Sequence, residues 1–156
     1  MKRIVCAAIA AALVAGAGAL AIAQSAQHTP QEQANIKAVL ELYEKALNQH
    51  DFEGSAQYLG SRYVQHNPFA EDGPEGLKKF IEWRKQNLPN AKSVIKRAFA
   101  DGDYVILHVH SIREPGTRGV AIVDIYKMEN GKVVEHWDVI QEVPEDSKTK
   151  NKNGMF

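Results

Sequence analysis

The stretch VDIYKMENGKVVEHWDVI, residues 123–140, decides how this chain folds. Apolar and polar residues alternate on both sides of Asn130-Gly131, the pattern of two strands joined by a tight turn. Three ionisable groups lie on those strands: Asp124, His136 and Asp138. Whether they share one face depends on the turn. A two-residue type I′ turn at Asn130-Gly131 puts Asp124 opposite Trp137 and sends His136 and Asp138 to the other face. A three-residue loop, with a type I turn at Glu129-Asn130 and a left-handed Gly131 in a bulge, shifts the pairing by one. Asp124 then faces His136, Tyr126 faces Val134, and Ile122 faces Asp138. The sequence suits both turns, and a one-residue slip flips every side chain of one strand relative to the other. The bulged form is favoured because it gathers the three groups into one polar cluster beside Ile122, Tyr126, Val134 and Ile140. Buried charge is tolerable only when paired.

Upstream, KSVIKRAFA and YVILHVHSIR read as strands joined by the turn DGD, and EPGTRG leads into the strand over 118–128. Before Pro89 the period is helical. Thr29-Pro30-Gln31-Glu32 is a capping box with proline at the first helical position. Ile36, Val39, Leu40, Tyr43, Ala46 and Leu47 follow on one face. Asp51 caps a short second helix, SRYVQHNP is a brief strand stopped by Pro68, and a third helix carries Leu77, Phe80, Ile81 and Leu88 on one side. Helices first and an antiparallel sheet second is the α+β pattern.

The chain has 156 residues, enough for one domain with a proper core. Residues 1–23 are a basic head, an apolar run rich in Ala and Gly, and a small-residue AIA site, which predicts a cleavable signal peptide. The domain is then expected over 24–143, with a polar tail at 144–156 whose last two residues are its only apolar ones. Export predicts a periplasmic or secreted protein, with no membrane association after cleavage. The single cysteine, Cys6, falls in the leader, so the mature domain has no thiol chemistry. Without Lys2 and Arg3, 17 basic residues stand against 19 acidic ones, a net of −2. No basic field exists for nucleic acid or anionic lipid.

LYEKALNQHDFEGSAQYLGSRYVQHNP, GPEGLKKFIEW and VDIYKMENGKVVEHWDVI together resemble the SnoaL-like group of the NTF2-like superfold, over about residues 31–143. The resemblance implies helices packed over a strongly curved antiparallel sheet that encloses a conical pocket. It also implies an activity like that of the polyketide cyclases, which close rings by intramolecular aldol condensation, with ketosteroid isomerase and scytalone dehydratase as cousins in fold. VDIYKM is similar to the strand that bears the pocket aspartate of ketosteroid isomerase, which puts Asp124 inside and supports the bulged turn. LYEKALN resembles the helix that bears its oxyanion-stabilising tyrosine, here Tyr43. YVQHNP occupies the region of its catalytic base, where this chain has His66 and Asn67 instead of an aspartate. The departure argues against steroid isomerisation. Homodimers are common in this superfold, so a homodimer is expected.

The catalytic candidates are therefore Asp124, His66, His136 and Asp138. Each also has a structural reading: a carboxylate bonded to a neighbouring strand, a loop histidine capping backbone, a satisfied core histidine, and an ion pair with a nearby arginine. Tyr43 suits an enolate-stabilising donor or a core tyrosine. His108 and His110, at i and i+2, suit polar pocket lining. As a zinc pair they would need a third ligand, from His66 or Asp124, and a second shell, so no metal site is expected. Tyr126 and Trp137 are further ligand contacts, although Trp83 and Trp137 equally suit packing or a dimer contact. These groups suit acid/base chemistry on a carbonyl compound through an enolate, without a cofactor. The alternative is a binding module whose pocket sequesters a small apolar molecule.

Overall fold

The computed structural model describes residues 28–156, and the expected signal segment at 1–23 lies outside the described residues. Helix α1 spans Pro30–Tyr43 and opens with the capping box, Glu32 N–H donating to Thr29 Oγ1 at 3.2 Å and Thr29 N–H to Glu32 Oε2 at 2.7 Å. One wider π-helical turn, Glu44–Asn48, continues it. Helix α2 spans Phe52–Ala56 and is capped by Asp51, and α3 spans Gly73–Asn87. The strands are β1 Leu59–Gln65, β2 Lys92–Asp101, β3 Tyr104–Ile112, β4 Val120–Glu129 and β5 Lys132–Glu142. They form one sheet in the order β1-β5-β4-β3-β2, antiparallel except for the β1–β5 pair. The architecture is the expected α+β one, with helices packed on one face of a curved sheet.

The core lies between α1 and that face. Val39, Leu42 and Tyr43 of α1 meet Val105, Leu107 and Val109 of β3 and Ile122, Tyr126 and Met128 of β4, all buried. Alternate residues of paired strands point the same way, so Leu107, Asp124 and Asp138, directly opposite one another, share the inner face. Asn48 ties the helical layer to the edge strand. Its side chain accepts from the Ser93 backbone N–H at 2.9 Å and donates to the Ser93 carbonyl at 3.1 Å.

The decisive hairpin closes differently from the favoured reading. Asn130 and Gly131 both have positive φ, 51° and 72°, and Glu129 pairs with Lys132, so the turn is the two-residue I′ form. That turn alone would put Asp124 opposite Trp137. A bulge follows instead inside the strand. Met128 pairs with Val133, but Lys127 pairs with Glu135, so Val134 is the extra residue. Asp124 consequently faces Asp138, Tyr126 faces His136, and Ile122 faces Ile140. The expected pairs, Asp124 with His136, Tyr126 with Val134 and Ile122 with Asp138, are each displaced by two residues. A shift of two preserves the face, and Asp124, His136 and Asp138 still point together.

Candidate functional site

The inner face of the sheet and the helices enclose a cavity of about 310 Å³, near the lower limit of the roughly 300–1,000 Å³ common for small-molecule sites. Leu42, Leu47, Leu77 and Ile122 supply apolar wall. The polar groups converge from three elements. β4 contributes Asp124 and Tyr126, β5 contributes His136 and Asp138, and β1 with its following loop contributes Tyr63, Gln65 and Asn67.

Asp124 is the centre. It is 4% exposed, and His136 Nε2 lies 3.0 Å from its Oδ1. Its other oxygen, Oδ2, is buried without a hydrogen-bond partner. Burial raises the Asp124 carboxyl above its ordinary range. The bond and charge of His136 oppose that rise, and the Asp138 carboxylate adds to it.

The His136 ring stacks on Tyr126 with centroids 4.7 Å apart, and its Nδ1 faces the Gln65 amide. Gln65 Oε1 already accepts the Asn67 backbone N–H at 2.9 Å. This orients the Gln65 Nε2–H₂ toward Nδ1, at 3.0 Å. His136 therefore donates from Nε2 to Asp124, with its Nδ1 side held against the Gln65 amide. Asn67 Nδ2 lies 2.8 Å from both oxygens of Asp138 and holds that carboxylate in place.

Tyr43 reaches the same cavity from α1, and its hydroxyl is buried without a partner. Burial, then the charge of Asp124, raises its phenol further above the ordinary tyrosine range. It stays protonated and lines the same cavity as Asp124.

Among the described residues, Asp124, His136 and Asp138 form the set that could hold a metal ion, with one ligand atom from each inside 4.8 Å. Two carboxylates and an imidazole are a competent donor set. In the present arrangement His136 Nε2 is committed to Asp124 and both Asp138 oxygens to Asn67, so an ion would have to displace those bonds.

Four residues expected at the cavity lie elsewhere. His66 alternates with Gln65 and Asn67, which point inward, so its ring points out. There it stacks on Trp137 at 4.3 Å and 4°, and its Nε2 lies 3.1 Å from Glu135 Oε2. Trp137 sits between His136 and Asp138 on β5 and is outside for the same reason. His108 and His110 occupy the outer face because Val105, Leu107, Val109 and Ser111 of the same strand are buried inward. His108 and His110 lie against the C-terminal Phe156, with centroids 5.3 and 4.3 Å away.

Sequence reading missed Gln65 as the support of His136, Tyr63 on the cavity wall, and Arg84. The last had a signal. Arg84 stands seven residues after Leu77 and three after Ile81, on the apolar stripe of α3, where a solvated arginine has no reason to be.

A curved sheet closed by helices around such a pocket is the NTF2-like architecture. The SnoaL-like domain family matches residues 39–136, and the chain belongs to that family. Among curated proteins, none matches the chain. Solved structures share the fold at low identity. TsrD from Streptomyces laurentii is 21% identical with a TM-score of 0.59, over 69% of this chain and 89% of that one. A SnoaL-like protein proposed to be a polyketide cyclase, from Jannaschia sp. CCS1, is 18% identical with a TM-score of 0.60, over 74% of this chain and 90% of that one. An NTF2-like protein of unknown function from Cytophaga hutchinsonii is 19% identical with a TM-score of 0.55, over 75% and 94%.

Proposed function

We propose that this SnoaL-like protein is a cofactor-independent enzyme that removes a proton alpha to a carbonyl group. The observation that carries the reading is the pair of unpartnered atoms in one cavity, Asp124 Oδ2 and the Tyr43 hydroxyl. A carboxylate whose proton affinity is raised by burial is a suitable base. Asp124 Oδ2 takes the proton, the C–H electron pair becomes the new carbon–carbon π bond as the carbonyl π pair moves to oxygen, and the Tyr43 O–H donates to the resulting enolate. His136 donates to Oδ1 throughout, which leaves Oδ2 as the oxygen without a protein partner. The enolate then closes a ring by aldol addition, is reprotonated at another carbon, or expels a leaving group.

The test is exchange in deuterium oxide. Ketones and β-dicarbonyl compounds small enough for the cavity are incubated with the mature domain, and loss of their α-proton signals is followed by NMR. Catalysed exchange that falls roughly 10²–10⁴-fold in Asp124→Asn is the expected result. Ligands that bind and never exchange would instead support a binding module, the reading favoured by the apolar walls of Leu42, Leu47, Leu77 and Ile122.

Two further expectations belong to this proposal. Export to the periplasm or medium rests on the 1–23 leader, and N-terminal sequencing of secreted material should begin at Gln24. A homodimer is supported by the outer sheet face, where Val94, Phe99, Val123 and Val139 are exposed. Sedimentation should give twice the protomer mass.

A further inference from the structure

We propose that the ligand of this pocket carries a carboxylate, received by the guanidinium groups of Arg84 and Arg113, so that the substrate is a keto acid rather than a neutral ketone. The reading extends the proposed function to a substrate class, and the anion site stands on its own geometry.

Arg84 is 4% exposed on α3 and lines the same cavity as Asp124 and Tyr43. Its hydrogen-bond partner is a single carbonyl, with Nη2 3.3 Å from Leu47 O, and its Cζ lies 5.8 Å from the centroid of the Phe80 ring. Its Nε is buried with no partner. Among the described residues no carboxylate pairs with it. An unpaired buried cation is costly, and proteins keep one where something else completes it.

The obvious partners are engaged elsewhere. Glu71, also on the lining, pairs with Lys79 at 2.6 Å, Asp124 with His136, and Asp138 with Asn67. Arg113, just past the end of β3, lines the cavity too, is exposed, and likewise pairs with no carboxylate among the described residues. Burial, together with the like charge of Arg113, disfavours the charged form of Arg84. Two mutually repelling guanidiniums on one cavity are relieved by an anion between them, and their forked donors match the two oxygens of a carboxylate. Tyr43 and Asp124 line the same cavity as both arginines, so a ligand anchored at the guanidiniums shares that space with them.

The probe is 4-oxo-4-phenylbutanoate against its primary amide, with affinities read by calorimetry on the mature domain. The acid should bind at least ~10-fold tighter than the amide, and Arg84→Gln should remove that preference. Arg113→Gln, at an exposed position that threatens no packing, should reduce the preference and lower the acid's affinity while sparing the amide's. Inorganic phosphate serves as a competitor. Weak competition fits a carboxylate site, whereas phosphate that binds tighter than the acid overturns the assignment. Equal affinity for acid and amide, or a preference unchanged in both variants, also overturns it. Exchange of the probe's α-protons is scored separately. Preference without exchange keeps the anion site and sinks the enzyme, and exchange without preference does the reverse.

Discussion

His136 holds one oxygen of Asp124 at 3.0 Å and leaves the other buried and unpartnered, on a residue that lines the cavity. The two residues are diagonal across β4 and β5, since Asp124 is directly opposite Asp138 and His136 opposite Tyr126. The diagonal contact engages Oδ1 and leaves Oδ2 without a protein partner.

Tyr43→Phe separates a functional hydroxyl from a structural one. The phenol is buried and unpartnered, so removing it relieves a desolvated polar group and leaves the packing intact. Unfolding stability should hold or rise, while α-proton exchange falls by roughly 10–10³-fold. A variant that loses stability and keeps its rate contradicts the role given to Tyr43.

His66→Ala tests the placement of the base. Removing a general base costs roughly 10²–10⁴-fold, whereas a residue outside the cavity should leave exchange within about twofold. The loss of its stack on Trp137 should appear in stability instead, at about 1 kcal/mol in urea unfolding. A collapse in exchange would return His66 to the site.

Two glycines with left-handed backbone should respond very differently to alanine. At Gly119, φ 71°, a Cβ would stand 2.3 Å from the Ser111 carbonyl oxygen. At Gly131, φ 72°, nothing lies within 4 Å. Gly119→Ala is expected to cost about 2–3 kcal/mol, and Gly131→Ala about 1 kcal/mol. Equal losses in urea unfolding would contradict the close approach of the chain at the start of β4.

Asp124 also makes stability depend on pH with a definite sign. Its folded carboxyl is raised above the ordinary value, chiefly by burial. The folded state therefore binds that proton more tightly than the unfolded chain does. The resulting stabilisation is complete below about pH 3.9, the unfolded range for aspartate, and is lost as pH rises through the folded value. Asp124→Asn keeps the shape and stays neutral. Its melting temperature should gain on that of the wild type as pH rises from acid to neutral. A gap that narrows over that interval contradicts the raised carboxyl.

Much of this was legible in the sequence, and the failures have physical causes. The capping box at Thr29–Glu32 and the change from helical to alternating period after Pro89 are local patterns, and local patterns survive folding. The common face of Asp124, His136 and Asp138 followed from the need to pair buried charge, and the chain reaches it through a bulge instead of the favoured turn. The bulge at Val134 had no mark, because two adjacent valines suit a strand in either register. His108 and His110 were ambiguous because β3 carries aliphatic residues on both faces, with Ile106 and Ile112 outside and Val105, Leu107 and Val109 inside. His66 lay in a short polar strand with no apolar alternation to set its phase. The Gln65–His136 contact joins residues 71 apart, a distance across which a single sequence carries no pairing information.

The central claim is that Asp124 is a buried carboxyl poised for proton transfer, and the most direct measurement is its own titration. Aspartate is labelled with carbon-13 at the carboxyl, the Asp124 signal is assigned by its absence in Asp124→Asn, and its shift is followed with pH. A midpoint well above the ordinary value of about 3.9 is the predicted result. A midpoint at or below that value would mean a permanently ionised structural partner of His136, and the acid/base account would fail.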